Sequence, residues 1–126
     1  MKYLIILFFS FGYNALYDDG SESIERGKKL YLLDCSSCHM QNGQGIPTLY
    51  PPLAQSDYFE KGLKAKVDVI LNGAKGEMVV NGVTYNSPME GVKYTDEQLA
   101  DILNYIGNNW GNKADIITPK EIKKKK

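Results

Sequence analysis

Cys35-Ser36-Ser37-Cys38-His39 decides the reading of this 126-residue chain: two thiols separated by two residues and followed at once by an imidazole suit covalent capture of a haem. Each thiol adds across one haem vinyl group, and the next residue offers an imidazole nitrogen to the iron. These are also the only two cysteines and the only histidine in the chain. Other readings of the pattern ask for more than the sequence supplies. A structural zinc site is four-coordinate, and two cysteines with one histidine leave a ligand missing. A thioredoxin-like redox pair belongs among alternating strands and helices, a pattern not visible around Cys35. A structural disulfide across two intervening residues is strained.

Upstream, Tyr17-Asp18-Asp19-Gly20-Ser21 reads as part of a flexible leader spanning residues 16–22. A helix is expected from Ser21 or Ser23, either of which can cap the free amides, with Glu22 and Glu25 favourably placed in the first turn. Ile24, Gly27, Leu30 and Tyr31 form its inward stripe, and it delivers Cys35 at its end. Glycine costs a helix ~1 kcal/mol relative to alanine, so Gly27 points to close approach of another backbone.

The first residues read as an export signal over 1–15. Lys2 is followed by Leu4, Ile5, Ile6, Leu7, Phe8 and Phe9, an apolar run too short to span a bilayer. Cleavage is expected near Ala15; Tyr13 occupies a position where a small residue is preferred, which leaves an uncleaved anchor as the alternative. Export agrees with the central motif, because bacteria attach haem covalently outside the cytoplasmic membrane. The expected location is therefore the periplasm or the outer side of that membrane.

Downstream, residues 40–53 carry Gln41-Asn42-Gly43-Gln44-Gly45-Ile46-Pro47 and Pro51-Pro52-Leu53 with no useful period, the mark of a long loop that wraps a haem edge. Prolines leave carbonyls without helix partners, and the Pro51 carbonyl is expected to accept the second imidazole proton of His39; a merely rigid turn is the plainer account. Short helical pieces follow at 56–62, with Tyr58 and Phe59 facing inward, and at 64–71, with Val67, Ile70 and Leu71 apolar and Asn72-Gly73 as the stop. Two β-prone runs joined by Asn81-Gly82 predict a hairpin. Next, Asn86-Ser87-Pro88-Met89-Glu90-Gly91 places an apolar thioether in a turn-rich stretch. Met89 suits a haem-iron ligand; Met78 is the rival, and Met40 lies too close to His39 to reach the opposite haem face.

The last predicted helix opens with the capping box Thr95-Asp96-Glu97-Gln98 and carries Leu99, Ile102, Leu103, Tyr105 and Ile106, with Asp96, Glu97, Asp101 and Asn104 on its polar side. Ile102 and Tyr105 are expected to pack on Gly27 and Tyr31. One domain, residues 23–112, accounts for the length. Residues 113–126 end in four lysines and read as a solvated tail, with docking to an acidic partner or anionic lipid head groups as the functional alternative. The net charge of zero gives no case for nucleic acid.

Over residues 24–112 the chain resembles the class I monohaem cytochromes c of bacteria. The resemblance rests on Gly27 and Tyr31, Cys35 to His39, Pro51-x-Leu53, the hairpin with Tyr85-Asn86, Met89, and the segment from Tyr105 to Trp110-Gly111-Asn112. One departure is that Pro88 precedes Met89 and Glu90 follows it, where the family often has proline after the ligand. The resemblance implies a mostly α fold, three to five helices around one covalent haem c, with the hairpin ahead of the methionine loop. Cys35 and Cys38 would attach the haem, His39 and Met89 would ligate its iron, and Pro51, Leu53, Tyr58, Ile70 and Tyr85 would line its pocket. The implied role is a one-electron carrier in a respiratory chain, not an enzyme, serving a terminal oxidase, nitrite reductase or dehydrogenase. The alternative is a haem-based ligand sensor or weak peroxidase in which Met89 dissociates.

Overall fold

The computed structural model describes residues 20–126, so the export signal and the leader up to residue 19 lie outside the described residues. Helix α1, Ser21–Asp34, runs into a single helical turn, α2, Ser36–His39. A 3-10 turn at Asp57–Glu60 and helix α3, Leu63–Asn72, follow the long loop. Strands β1, Met78–Val80, and β2, Val83–Tyr85, pair antiparallel with Val80 opposite Val83 across Asn81-Gly82. Helix α4, Asp96–Gly107, and the short helix α5, Pro119–Lys123, complete the chain. Among the described residues, five helices and one small hairpin make the fold mostly α, as the sequence predicts. None of the helices described is long and apolar enough to cross a membrane.

The molecule is built on the crossing of α1 and α4. Gly27 lies against the backbone of α4, where a methyl group would overlap the Asp101 carbonyl and sit 2.9 Å from Tyr105 Cβ. That proximity brings Tyr31, Tyr105 and Trp110 together, with ring centroids 5.0 to 5.4 Å apart, in the tilted and edge-on arrangements that aromatic quadrupoles favour. Leu99, Ile102, Leu103 and Ile106 of α4, with Val67 of α3, complete the buried core.

Three expectations are corrected. Neither Ser21 nor Ser23 occupies the cap of α1. The cap position is Gly20, in left-handed backbone, and Ser23 Oγ instead donates to Asp101 Oδ1 at 2.7 Å. The helix thus starts inside the span assigned to the leader. Asp101 and Asn104 are not on a solvated side of α4: they are 3 % and 1 % exposed. Arg26 pairs with Asp101 at 2.8 Å, and Asn104 joins Ser23 Oγ to the Ile117 backbone, so their polarity is satisfied inside the packing. Finally, residues 113–126 are not a solvated tail. Thr118 and Glu121 form a second capping box, Pro119 fills the first turn, and Ile122 is fully buried in the main core.

Candidate functional site

The α1 helix stops because Cys35 leaves helical geometry while its amide still reaches the Tyr31 carbonyl at 2.9 Å. The next turn, α2, therefore starts on Cys35 and places Cys38 and His39 one turn further on, with the His39 amide bonded to the Cys35 carbonyl at 2.9 Å. Met40 then takes φ 64° and ψ 161°, backbone that residues with a side chain rarely adopt. Two donors hold its carbonyl, Tyr31 Oη at 2.6 Å and the Gly43 amide at 3.1 Å. Tyr31 thus ties the aromatic core to the turn that orients His39, and its burial holds the phenol protonated, well above the ordinary tyrosine range.

His39 is 7 % exposed. Its Nδ1 lies 2.8 Å from the Pro51 carbonyl, and a carbonyl can only accept, so Nδ1 carries the proton and Nε2 keeps a lone pair. Burial lowers the imidazole pKa and the Pro51 bond partly offsets it, which favours the neutral ring that a metal ion requires. The loop from Met40 to Leu53 is folded back to bring Pro51 there. The Gly45 amide bonds the His39 carbonyl, and the Leu53 and Ala54 amides both bond the Gly43 carbonyl.

Met89 reaches the site by a different route. It pairs with Ala74 through two backbone bonds of 2.9 Å, an isolated bridge that fastens the methionine loop to the end of α3. Gly73 makes this possible: it has φ 73°, and a Cβ there would collide with the Met89 carbonyl. The glycine read in the sequence as a helix stop therefore also seats the loop.

These pieces enclose one cavity of about 340 Å³, within the size range of small-molecule and cofactor pockets. Cys35, Cys38, His39 and Met89 all line it, and so do Pro51, Leu53, Tyr58, Ile70 and Tyr85. Every site residue named from the sequence is thus brought to a single, mostly apolar space. Met78 also borders it from β1, whereas Met40 does not. The donor set fits a covalently attached haem: two thiols for the vinyl groups, an imidazole with its second nitrogen engaged, and a thioether among apolar walls. Burial, with Asp34 and Cys38 nearby, pushes the Cys35 thiol up to about 12. Reactive redox cysteines have lowered values, so Cys35 is not activated as a redox nucleophile. Nor do three or more His, Cys, Asp or Glu side chains converge among the described residues, as a zinc site would need.

Sequence reasoning missed two features of the rim. Tyr94 Oη donates to Asp34 Oδ2 at 2.5 Å, joining the approach to α4 with the end of α1 beside Cys35. Lys66 also lines the cavity, its Nζ donating to the Phe59 carbonyl at 3.2 Å and lying 4.5 Å from the Phe59 ring centroid. Burial holds that amine below the usual lysine value. The first contact joins residues 60 positions apart, and no local pattern announces it.

Residues 24–110 match the family described as Cytochrome c. Cytochrome c-552 of Thermus thermophilus is 37 % identical over 108 residues, covering 78 % of this chain and 82 % of that protein. The cytochrome c subunit of the quinone-dependent alcohol dehydrogenase of Gluconobacter oxydans (strain 621H) is 28 % identical over 102 residues, covering 79 % of this chain but 21 % of that subunit. The cytochrome c subunit of gluconate 2-dehydrogenase from Pantoea cypripedii is likewise 28 % identical over 102 residues, with 78 % and 23 % covered.

Proposed function

This chain belongs to the cytochrome c family, and from that premise we propose that it carries single electrons between redox proteins of a respiratory chain, using His39 and Met89 as the axial pair of one haem. The cofactor is a covalently bound haem c, which supplies a one-electron ferric–ferrous couple when attached. Cys35 and Cys38 are its anchors. His39 presents Nε2 while Pro51 fixes the ring's tautomer and orientation. The Met89 thioether is a soft ligand that favours the ferrous ion and raises the potential. Leu53, Tyr58, Ile70 and Tyr85 keep water from the macrocycle, which favours the less charged state and limits reorganisation.

The observation that carries this reading is that His39 and Met89 border the same cavity as both thiols, although they come from segments fifty residues apart. With His39 and Met89 both bound to the iron, no site would remain for oxygen or peroxide, and no catalytic residue is assigned. Covalent attachment supports an exported protein, in the periplasm or on the outer side of the cytoplasmic membrane. The dehydrogenase subunits among the relatives support a dehydrogenase as one partner, with a terminal oxidase or nitrite reductase as acceptor.

Replacing Met89 with alanine in the holoprotein tests the ligand set. Expected are loss of the sulfur-to-iron charge-transfer band, a lower midpoint potential, and new binding of cyanide or carbon monoxide; Met78→Ala should keep the band. A wild-type protein that is high-spin in the ferric state and binds carbon monoxide rapidly would replace the carrier with the ligand-sensing alternative.

A further inference from the structure

We propose that α5 and the residues after it form a cationic foot that docks this protein on an anionic phospholipid surface. The inference rests on the exported location proposed above and is independent of the axial ligands, so its failure and theirs show in different measurements.

Five of the last seven residues are lysines, Lys120 and Lys123 to Lys126, against one acid, Glu121. The whole chain has net charge zero, so the remainder carries a net negative charge and the basic excess is gathered at this end of the sequence. A free lysine run would spread its charge over many conformations and lose entropy on docking. Here the run is held at both ends. The Thr118–Glu121 capping box and the buried Ile122 fix its start, and Lys126 Nζ pairs with Asp96 at 2.5 Å. Lys120, Lys123 and Lys124 fall within one arc of the helical turn, opposite Ile122, and all are exposed together with Lys125. The charges therefore face solvent as a preformed group.

Two observations identify the partner as a lipid surface. Ile122, the only large apolar side chain of α5, is committed to the core, which leaves none for insertion; attachment is then electrostatic and reversible. None of residues 113–126 borders the cavity, so this segment can rest on a surface without covering the cavity's own lining. An acidic protein that exchanged electrons directly would need to approach the cavity; a bilayer need not.

The test uses the full-length holoprotein and co-sedimentation with vesicles of pure phosphatidylcholine or with phosphatidylglycerol added. Comparing the two lipids separates any contribution of the apolar run near the N-terminus, which does not depend on lipid charge. Binding is expected to increase with phosphatidylglycerol and to fall steeply with salt. Replacing Lys120, Lys123, Lys124 and Lys125 with glutamine should weaken that increment by roughly tenfold or more, while arginine at the same positions should retain it. An unchanged visible spectrum and thermal midpoint show that the variant is folded. No phosphatidylglycerol increment, or an equal one in the glutamine variant, overturns the proposal. So does retention on immobilised polyglutamate without any vesicle increment, which would assign the patch to an acidic protein.

Discussion

Asp101 is a carboxylate set almost wholly inside the packing of two helices, and Gly27 stands directly against its backbone. The carboxylate accepts from Ser23 Oγ at 2.7 Å and from the Arg26 guanidinium at 2.8 and 2.9 Å. Arg26 is half-exposed while Asp101 is buried, and an ion pair of this kind is weak evidence of net stability, since desolvation of the carboxylate consumes much of the Coulomb gain. Its clearer consequence is registry, because these bonds form only when α1 crosses α4 at Gly27. The same contact makes a sharp prediction. Alanine at position 27 would gain up to ~1 kcal/mol of helix propensity, yet its methyl group would meet the Asp101 carbonyl, which is backbone and cannot rotate away. Overpacking in such a place costs about 1–3 kcal/mol, or more where backbone must move. Gly27→Ala should therefore destabilise the holoprotein by about 2 kcal/mol in guanidinium unfolding; an unchanged or raised midpoint would show that the helices can separate at little cost.

Elements whose signals are local were legible in the sequence, and those set by distant partners were not. The Thr95 capping box, the Asn81-Gly82 hairpin and the stop at Gly73 each depend on a few neighbouring residues, and each is present. Asp101 and Asn104 read as solvated because polarity usually marks a surface; their partners Ser23, Arg26 and Ile117 lie 13 to 81 residues away. The α5 helix is the instructive miss. Thr118-Pro119-Lys120-Glu121 spells the same kind of box as Thr95 to Gln98, but five residues with one isoleucine show no period, and the lysines dominate the reading. Its acid dependence follows from that box. The Glu121 carboxylate accepts from the Thr118 amide at 2.8 Å and from its hydroxyl at 2.7 Å, which holds it below the ordinary glutamate value. A group with a lowered folded-state pKa stabilises above its unfolded value of ~4.3 and loses that contribution as pH falls through the folded one. Ile122 methyl resonances followed by NMR should therefore shift toward an undocked position as pH drops below ~4, more so in the native protein than in Glu121→Gln. Identical titrations of the two would remove the box from the cause.

At the scale of the molecule, the cavity and the core meet in α4, whose Ile102, Leu103 and Ile106 line the one and belong to the other together with Ile122. The cavity is walled by α2, the long loop, α3, the hairpin and α4, while residues 113–126 pack on α4 through Ile122 without lining it. Ile122 is fully buried, and Ile117 offers both its amide and its carbonyl to Asn104, at 2.7 and 2.9 Å. Removing the segment after Asn112 would uncover a core position worth about 2–5 kcal/mol by analogy with large-to-small substitutions. It would also strand the buried Asn104 amide at about 1–3 kcal/mol. The sum is comparable with the whole stability of a small domain, about 5–15 kcal/mol. The expected outcome is a truncated protein that still carries covalent haem with an unaltered low-spin spectrum in the cold, because no cavity residue is lost, but unfolds at least 10 °C lower, at roughly 4–8 °C per kcal/mol. A changed axial spectrum at low temperature would mean that the C-terminal segment also sets the geometry of the iron site. An unchanged melting temperature would mean that Ile122 is dispensable and α4 is stable alone. Between these outcomes lies the division of labour seen in the fold, in which residues 34–106 supply the cavity lining and the segment after Asn112 packs on α4.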